Sequence, residues 1–468
     1  MLTGGVRLIL TRYTLLKPDL HVRVGFGRYQ VQLFLVTGLG WMADNIWAQG
    51  VAIVLSQIQR ELNPKRIEFV MLSLYAGLGI GAVTWGTIAD IIGRKVSFNI
   101  TLFLAGIFGI AAGASPNFVT LNVLVALLGF GVGGNIPVDG AIYLEHIPRS
   151  HHYTVTFLSV LWASGQLVAS VVAWGFIANF SCDSSASPGE CAKGTNMGWR
   201  YTFYALGALT FVMFLLRCVV FDLQESSKYL IAKGRDEEAL AVLRHLAKRN
   251  GQEITLTLED MQRVQVPTRI SRKDIVKKSL SQLSLSHLKP LFAGKRLAIN
   301  TTMTMSIWAL IGLAYPLFNA FLPLYLADRL SDSDSSTGTT YRNYTIISVL
   351  GIVGPGIACL FPTRKFALVG RKLVMALSTL LTGVFLFLFT TSKTDAAVLG
   401  FSCASALTAN AMYAVLYAYT PEVFPAPHRG TGDAVCSAFN RIAGVLAPVI
   451  KIATTSREGG ATGMAANL

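Results

Sequence analysis

The sequence predicts an all-α polytopic membrane protein. Its plan is two parallel six-helix repeats with about 11 spanning helices, the second repeat lacking its last one. Three observations predict this. Only 14% of the 468 residues are charged and 52% are hydrophobic, whereas a soluble domain carries about 25% charge. Apolar runs of about 20 residues recur, the length at which a helix crosses a bilayer. Finally, two motifs repeat at one offset. Glu145, Pro148, His151 and His152 in "LEHIPRSHHY" return 277 positions later as Glu422, Pro425, His428 and Arg429 in "PEVFPAPHRG". Gly93-Arg94-Lys95 returns as Gly370-Arg371-Lys372 at the same spacing. A shared offset points to duplication, and two such bundles form a transporter architecture.

Residues 1–30 form a predicted cytoplasmic segment. "GGVRLILTRYTLL" is apolar but broken by arginines, and no small-residue cleavage site follows it. The first spanning helix is therefore expected to act as an uncleaved signal. Spans are predicted over 31–57, 68–90, 96–114, 118–143, 154–179 and 200–222, which make an N-terminal bundle of residues 31–222. Further spans over 298–326, 342–361, 371–391, 395–419 and 433–452 make a C-terminal bundle of residues 297–456. Residues 223–296 are a polar central loop with amphipathic helices. Within it, "DEEALAVLRHLAKRN" (236–250) opens with acids and closes with bases, which suits a helix with a complemented dipole. That helix reads as a solvated linker, with a regulatory or partner role as the alternative. Shifting span 200–222 by the offset gives 477–499, beyond Leu468. Residues 457–468 form a small polar tail, so the second bundle is expected to be truncated by one helix.

Placing the N-terminus in the cytoplasm puts 28 Lys and Arg on inner loops and 8 on outer ones. Without residues 223–296 the balance is still 13 to 8. This follows the positive-inside rule, so the net charge of +15 reflects topology rather than a nucleic-acid partner. Cys182 and Cys191 bracket "DSSASPGE" in an outer loop and are a disulfide candidate, with two unrelated thiols as the alternative. Cys218, Cys359, Cys403 and Cys436 lie singly in apolar runs, and no zinc spacing is present. Asn179 opens a glycosylation sequon on the same outer side, and Asn343 opens a second.

Gly86, Asp90, Gly93, Arg94 and Lys95 join spans 2 and 3. Gly86 suits close helix approach and Gly93 a tight turn. Asp90 can face a helix N-terminus or a base, and Arg94 and Lys95 can pair with acids on neighbouring inner loops. Such a cluster latches one conformation and breaks in another; the plainer reading is positive-inside anchoring. Gly129-Phe130-Gly131-Val132-Gly133-Gly134 also matches a dinucleotide fingerprint. In an apolar span it reads as close helix packing.

Gly86–Lys95 resembles the G-x-x-x-D-(R/K)-x-G-R-(R/K) loop signature of the major facilitator superfamily, with Ile91 in place of a base. "PEVFPAPHRGTG" (421–432) resembles the P-E-x-x-P-x-x-x-R-G-T-G signature of its sugar-porter-like and synaptic-vesicle-related branches. "QESSKYLIAKGRDEEAL" (224–240) is similar to the P-E-S-P-R-(Y/F)-L segment after helix 6. Gln224 and Ser227 replace its prolines. "GWMADNIWAQGVAI" (40–53) and "GFGVGGNIPVDGAIYLE" (129–145) resemble the synaptic-vesicle-two-related-like branch more than sugar porters. Val125 stands where sugar porters carry an arginine, and Thr363 and Ala367 replace the second-half Gly and Asp. The resemblance covers residues 25–452. It implies a major facilitator fold, alternating access and a cytoplasmic gate. In that gate Glu145 is expected to pair with Arg371 or Lys372, and Glu422 with Arg94. Arg149, Glu225, Gly370 and Arg429 complete it. A loop acid that merely solvates a helix dipole is the alternative.

Asp44 sits within an apolar span, where a bare charge costs several kcal/mol. It is expected to face a watery cavity, bind a proton or pair with a base; a structural hydrogen-bonded acid is the alternative. Arg441 follows the same logic and could answer an anionic substrate. Asp139 lies deep in span 4 near Asn135. Further cavity candidates are Asn45, Gln49, Gln166, Tyr315, Asn319, Asn410, Tyr413 and Asn440. Trp41, Trp162 and Trp308 could stack on a flat ligand or simply pack. His146, His151 and His152 lack a completing acid or cysteine set, so no metal is expected. Nor is a cofactor or an enzymatic reaction, because no nucleophile, zinc or phosphate-loop pattern is present.

The expected function is secondary active transport of a small organic ion or carboxylate, with Asp44 coupled to a proton. A sugar/proton symporter, a non-transporting membrane sensor and a truncated inactive variant are the alternatives. The expected partners are the substrate, a proton and the bilayer, with no nucleic acid and a monomeric protein. The expected location is the plasma membrane or an endomembrane such as vacuole or vesicle.

Overall fold

The computed structural model describes residues 25–148, 151, 154–182, 189, 191–232, 234–254, 256–259, 289–322, 325, 337–360, 367–424 and 429–458. Helices dominate these residues, and their boundaries follow local chemistry. Helix α1 (Arg28–Ile53) opens where the Gly27 N–H donates to Gln30 Oε1 at 3.0 Å. Its continuation α2 (Leu55–Leu62) stops at Asn63, whose φ of 38° is left-handed; Asn tolerates that conformation. Helices α3 (Phe69–Ile92) and α4 (Arg94–Gly113) meet at Gly93, where φ is 111°. Asn117 caps α5 (Phe118–Gly133) by accepting from the Thr120 N–H at 2.9 Å. Past Gly134 the rod continues as α6 (Asn135–His146).

Then come α7 (Thr154–Phe180) and α8 (Gly198–Leu215), the latter ending in a π turn, Leu216–Val220. Short helices α9 (Ser227–Ala232) and α10 (Asp236–Arg249) follow. The second half holds α11 (Lys295–Tyr315), which runs into a π turn at Pro316–Ala320, then α12 (Thr337–Leu360) and α13 (Ala367–Thr390). Helix α14 (Asp395–Val423), capped by Thr394, and α15 (Arg429–Glu458) complete it.

Among the described residues, nine segments are long and apolar enough to cross a membrane. Helices α1 and α12, with 26 and 24 residues, match the length of the two other predicted spans. Asp44, Asn45 and Gln49 lower the hydropathy of α1. The protein is thus a multi-pass membrane protein whose rods follow the predicted order.

Packing repeats between the halves. In the first, α1 packs on α7, α3 on α5 and α4 on α8. In the second, α11 packs on α15 and α12 on α14, the equivalents of the first two pairs, and α13 packs on α14. The halves meet where α7 lies against α12 and α3 against α15. Glycines set the closest approach. A Cβ on Gly77 or Gly81 would strike the carbonyl oxygens of Ala126 or Phe130, and one on Gly129 or Gly133 those of Leu74 or Leu78. Four glycines at four-residue spacing thus let α3 and α5 touch backbone to backbone. The Gly129–Gly134 run lies at the end of a helix, with no strand before it among the described residues, so it packs helices.

Two caps hold the ends of the first half. At the end predicted to face outward, Glu61 accepts from Arg200 Nη1 and Trp199 Nε1, both at 2.8 Å. The Arg200 guanidinium also stacks 4.0 Å over the Trp199 ring. The disulfide Cys182–Cys191 lies nearby, with Cα atoms 6.1 Å apart. The Gly189 N–H inside its loop donates to the Arg60 carbonyl at 2.8 Å.

At the opposite end, α10 buries Ala239, Leu240, Val242, Leu243, Leu246 and Ala247. Asn250 just beyond it accepts from the Tyr29 N–H at 3.2 Å and donates to Gln30 Oε1 at 2.8 Å. Those contacts tie α10 to the first turn of α1.

Candidate functional site

Asp44 stands in the middle of α1 and is 6% exposed. Its Oδ2 accepts from Trp162 Nε1 on α7 at 3.2 Å. Its Oδ1 is 3.6 Å from Arg441 Nη2 on α15. Because α1 and α7 belong to the first half and α15 to the second, this ion pair bridges them. A buried charge persists only when paired, and each residue supplies the other's counter-charge.

A polar ladder runs from Asp44 toward the Ile53 end of α1. Asn45 Nδ2 donates to the Trp162 carbonyl at 2.9 Å, and Asn45 Oδ1 accepts from Tyr315 at 3.1 Å. Gln49 Nε2 donates to the Tyr315 hydroxyl at 2.6 Å. Tyr344 donates to Gln49 Oε1 and accepts from Gln166 Nε2 at 3.5 Å. Further along, Tyr341 donates to the Ile53 carbonyl at 3.4 Å and lies 3.2 Å from Ser56 Oγ. Each of these tyrosines belongs to the second half. The end predicted to face outward is therefore sewn shut by bonds between halves.

Not every cavity candidate joins this network. Asn410 Nδ2 donates to the Gly351 carbonyl at 3.0 Å, and Asn440 Nδ2 to the Trp308 carbonyl at 3.1 Å. Both amides hold helix pairs within the second half. Asn319 sits on the π turn Pro316–Ala320, and Asn135 is fully buried at the α5–α6 junction. Asp139 lies inside the first half against Arg217, whose Nη2 is 2.5 Å from its Oδ2. Arg217 Nη1 also donates to the Phe98 carbonyl at 2.7 Å, and its guanidinium stacks 3.7 Å over the Phe98 ring. Sequence reasoning singled out Asp139 but missed Arg217. The available signal was one arginine within the apolar run "FVMFLLRCVV".

The gate motifs gather at the other end. Arg94 Nη2 lies 3.2 Å from Glu145 Oε1. The expected pairing assigned Glu145 to Arg371 or Lys372. Arg94 reaches Glu145 because the Gly93 turn places it at the first residue of α4, beside the end of α6. Glu225 accepts from the Arg94 N–H at 3.1 Å and the Lys95 N–H at 3.4 Å. Its carboxylate caps α4, a favourable place for negative charge. Gly370, Arg371 and Lys372 lie within the first two turns of α13. Arg149 and the side chains of Asp90, Glu422 and Arg429 lie outside the described residues. Gly86 is corrected: a Cβ there would meet nothing within 4 Å, so no helix closes on it in this conformation.

Gly93→Ala is expected to cost about 1–3 kcal/mol, because alanine resists a positive φ and its methyl would meet Glu225. Thermal unfolding of the purified protein checks this; an unchanged midpoint would refute it.

Two other predicted positions are simply placed. Asn179 is exposed on the last turn of α7, its amide donating to the Gly175 carbonyl at 2.8 Å. His146 is buried with Nδ1 2.9 Å from the Ile142 carbonyl, and His151 stacks on Phe26 at 4.6 Å.

Comparisons with known proteins match this architecture. The Major Facilitator Superfamily model matches residues 33–448. The MFS siderochrome iron transporter 1 of Ceriporiopsis subvermispora is 44% identical over 437 residues, covering 92% of this chain and 82% of its own. The synaptic vesicle 2-related protein of Rattus norvegicus is 25% identical over 446 residues, covering 93% and 75%. Among solved structures, a partially occluded inward-open form of the xylose transporter XylE from E. coli superposes with a TM-score of 0.65. It shares 17% identity, with 90% and 91% of the two chains covered. Two packed helical repeats, the loop signatures and a match across nearly the whole chain lead to one conclusion: the chain belongs to the major facilitator superfamily of membrane transporters.

Proposed function

We propose that this transporter moves a small organic anion by alternating access, with a proton carried on Asp44. The observation that supports it is the Asp44–Arg441 pair across the two halves, with oxygen and nitrogen 3.6 Å apart. Arg441, only partly exposed within a membrane-spanning helix, needs a counter-charge at every stage of the cycle. Asp44 supplies it when the site is empty. An entering carboxylate can replace Asp44 on Arg441 if Asp44 takes up a proton and becomes neutral. Proton and anion then share the site, and neither leaves an isolated charge at membrane depth. Opening between the halves on one side and then the other completes transport.

The fungal relative is named for siderochrome iron and the solved neighbour for xylose, so the family accommodates different cargo. The charge pair favours an anion over a neutral sugar. The test is uptake of labelled carboxylates and labelled xylose into proteoliposomes of the full chain, under an inward proton gradient. Carboxylate accumulation above protein-free vesicles is expected. Asp44→Asn is expected to exchange carboxylate across the membrane without concentrating it. Unchanged gradient-driven accumulation in Asp44→Asn would overturn the coupling role. Accumulation of xylose alone would overturn the anion reading.

A further inference from the structure

Resting on that reading, we infer that the anion carries a flat conjugated ring, held in an aromatic slot that shares a wall with the Asp44–Arg441 pair. Trp162 on α7 meets two rings of the second half, Tyr315 and Tyr413, each at 5.8 Å between centroids. Trp41 on α1 meets Tyr417 on α14 at 5.1 Å. These three contacts cross between halves and are tilted, with interplanar angles of 47°, 51° and 58°.

Within the second half the geometry differs. Tyr315 and Tyr413 stand edge to face at 89°, and Trp308 and Tyr417 at 79°. Edge-to-face is a preferred arrangement for aromatic rings. Each half thus presents its own ring surface, and the two surfaces cover each other in this closed arrangement. Alternating access must part them. Once apart, their flat faces need a flat apolar partner or become wet.

Charge and ring recognition meet in one residue. The Trp162 indole that packs against Tyr315 and Tyr413 also donates to Asp44 Oδ2 at 3.2 Å. A ring against Trp162 would therefore set its carboxylate near Arg441. A second observation points the same way. Trp41 is 2% exposed, yet its Nε1 has no hydrogen-bond partner among the described residues. Buried indole N–H groups usually find one. Trp41 is a donor held beside the slot, suited to a carboxylate oxygen or a ring heteroatom.

The test compares benzoate with cyclohexanecarboxylate, which has the same charge and a similar size but a puckered ring. Affinities are read from ligand-induced thermal stabilisation of the full-length protein. Benzoate is expected to bind about tenfold tighter, the scale of one favourable ring contact. Trp162→Leu should bring the two acids level, while Tyr413→Phe keeps the preference. Trp41→Phe retains the ring face and should weaken benzoate binding without lowering the unfolding midpoint, which separates recognition from folding. Equal affinity of the two acids in the unaltered protein would overturn the slot and leave the anion reading intact. Binding of xylose with neither acid bound would overturn both.

Discussion

Asp139→Leu and Arg217→Leu are each expected to cost about 3–5 kcal/mol, enough to remove most folded protein from the membrane. Both side chains are fully buried. Arg217 spends its donors on Asp139, the Phe98 carbonyl and the Val36 carbonyl, the last at 3.3 Å. Gly40 leaves room for the pair, since a Cβ there would overlap both Asp139 and Arg217. Removing either partner strands a charge in an apolar bundle with no route to water. Removing both strands nothing, so the Asp139→Leu/Arg217→Leu double variant should recover most of the lost stability. Thermal unfolding and membrane abundance of the three variants check this. Singles as stable as the parent would refute the buried-charge argument. A double variant no better than the singles would show that shape, not charge, dominates there.

Arg441→Gln is expected to lower carboxylate affinity by about 100-fold. That equals about 2.7 kcal/mol, within the range of a charge-assisted contact. Glutamine keeps much of the length and can still donate, but it brings no charge to balance either Asp44 or the anion. Arg441→Lys should fall between, because lysine offers a point charge without the planar fork. Binding isotherms for benzoate at fixed pH measure the effect. Undiminished affinity in Arg441→Gln would remove Arg441 as the anion anchor. The Asp44→Asn/Arg441→Gln pair adds a control: if the two side chains answer each other, their effects on stability will not add.

Much of the fold was legible because membrane spans are written in composition. A run of about 20 apolar residues has few other uses, and the 277-residue offset exposed the repeat without any structure. The Gly129–Gly134 run was readable for the same reason, since its apolar surroundings excluded a phosphate loop. Contact partners were harder. An apolar span shows that Arg217 must be paired, but not which neighbouring helix supplies the acid. Glu61 and Arg200 lie 139 positions apart in sequence, and nothing local marks either as the other's partner. The Arg94–Glu145 pairing depends on how the Gly93 turn aims α4, which no periodicity encodes. Asp44 and Arg441 were each legible as costly buried charges. Their meeting across the halves was not, because it depends on how two bundles dock.

Glu225 capping α4 and Asn250 bonded to the first turn of α1 fasten the start of the central loop to the first half. That segment therefore travels with the first half as a lever during the cycle. Lys248, exposed on α10, and Lys372, exposed on α13, ride on opposite arms. Dyes at these two positions would form a molecular ruler, reading the rocking of one arm against the other in single transporters while they turn over.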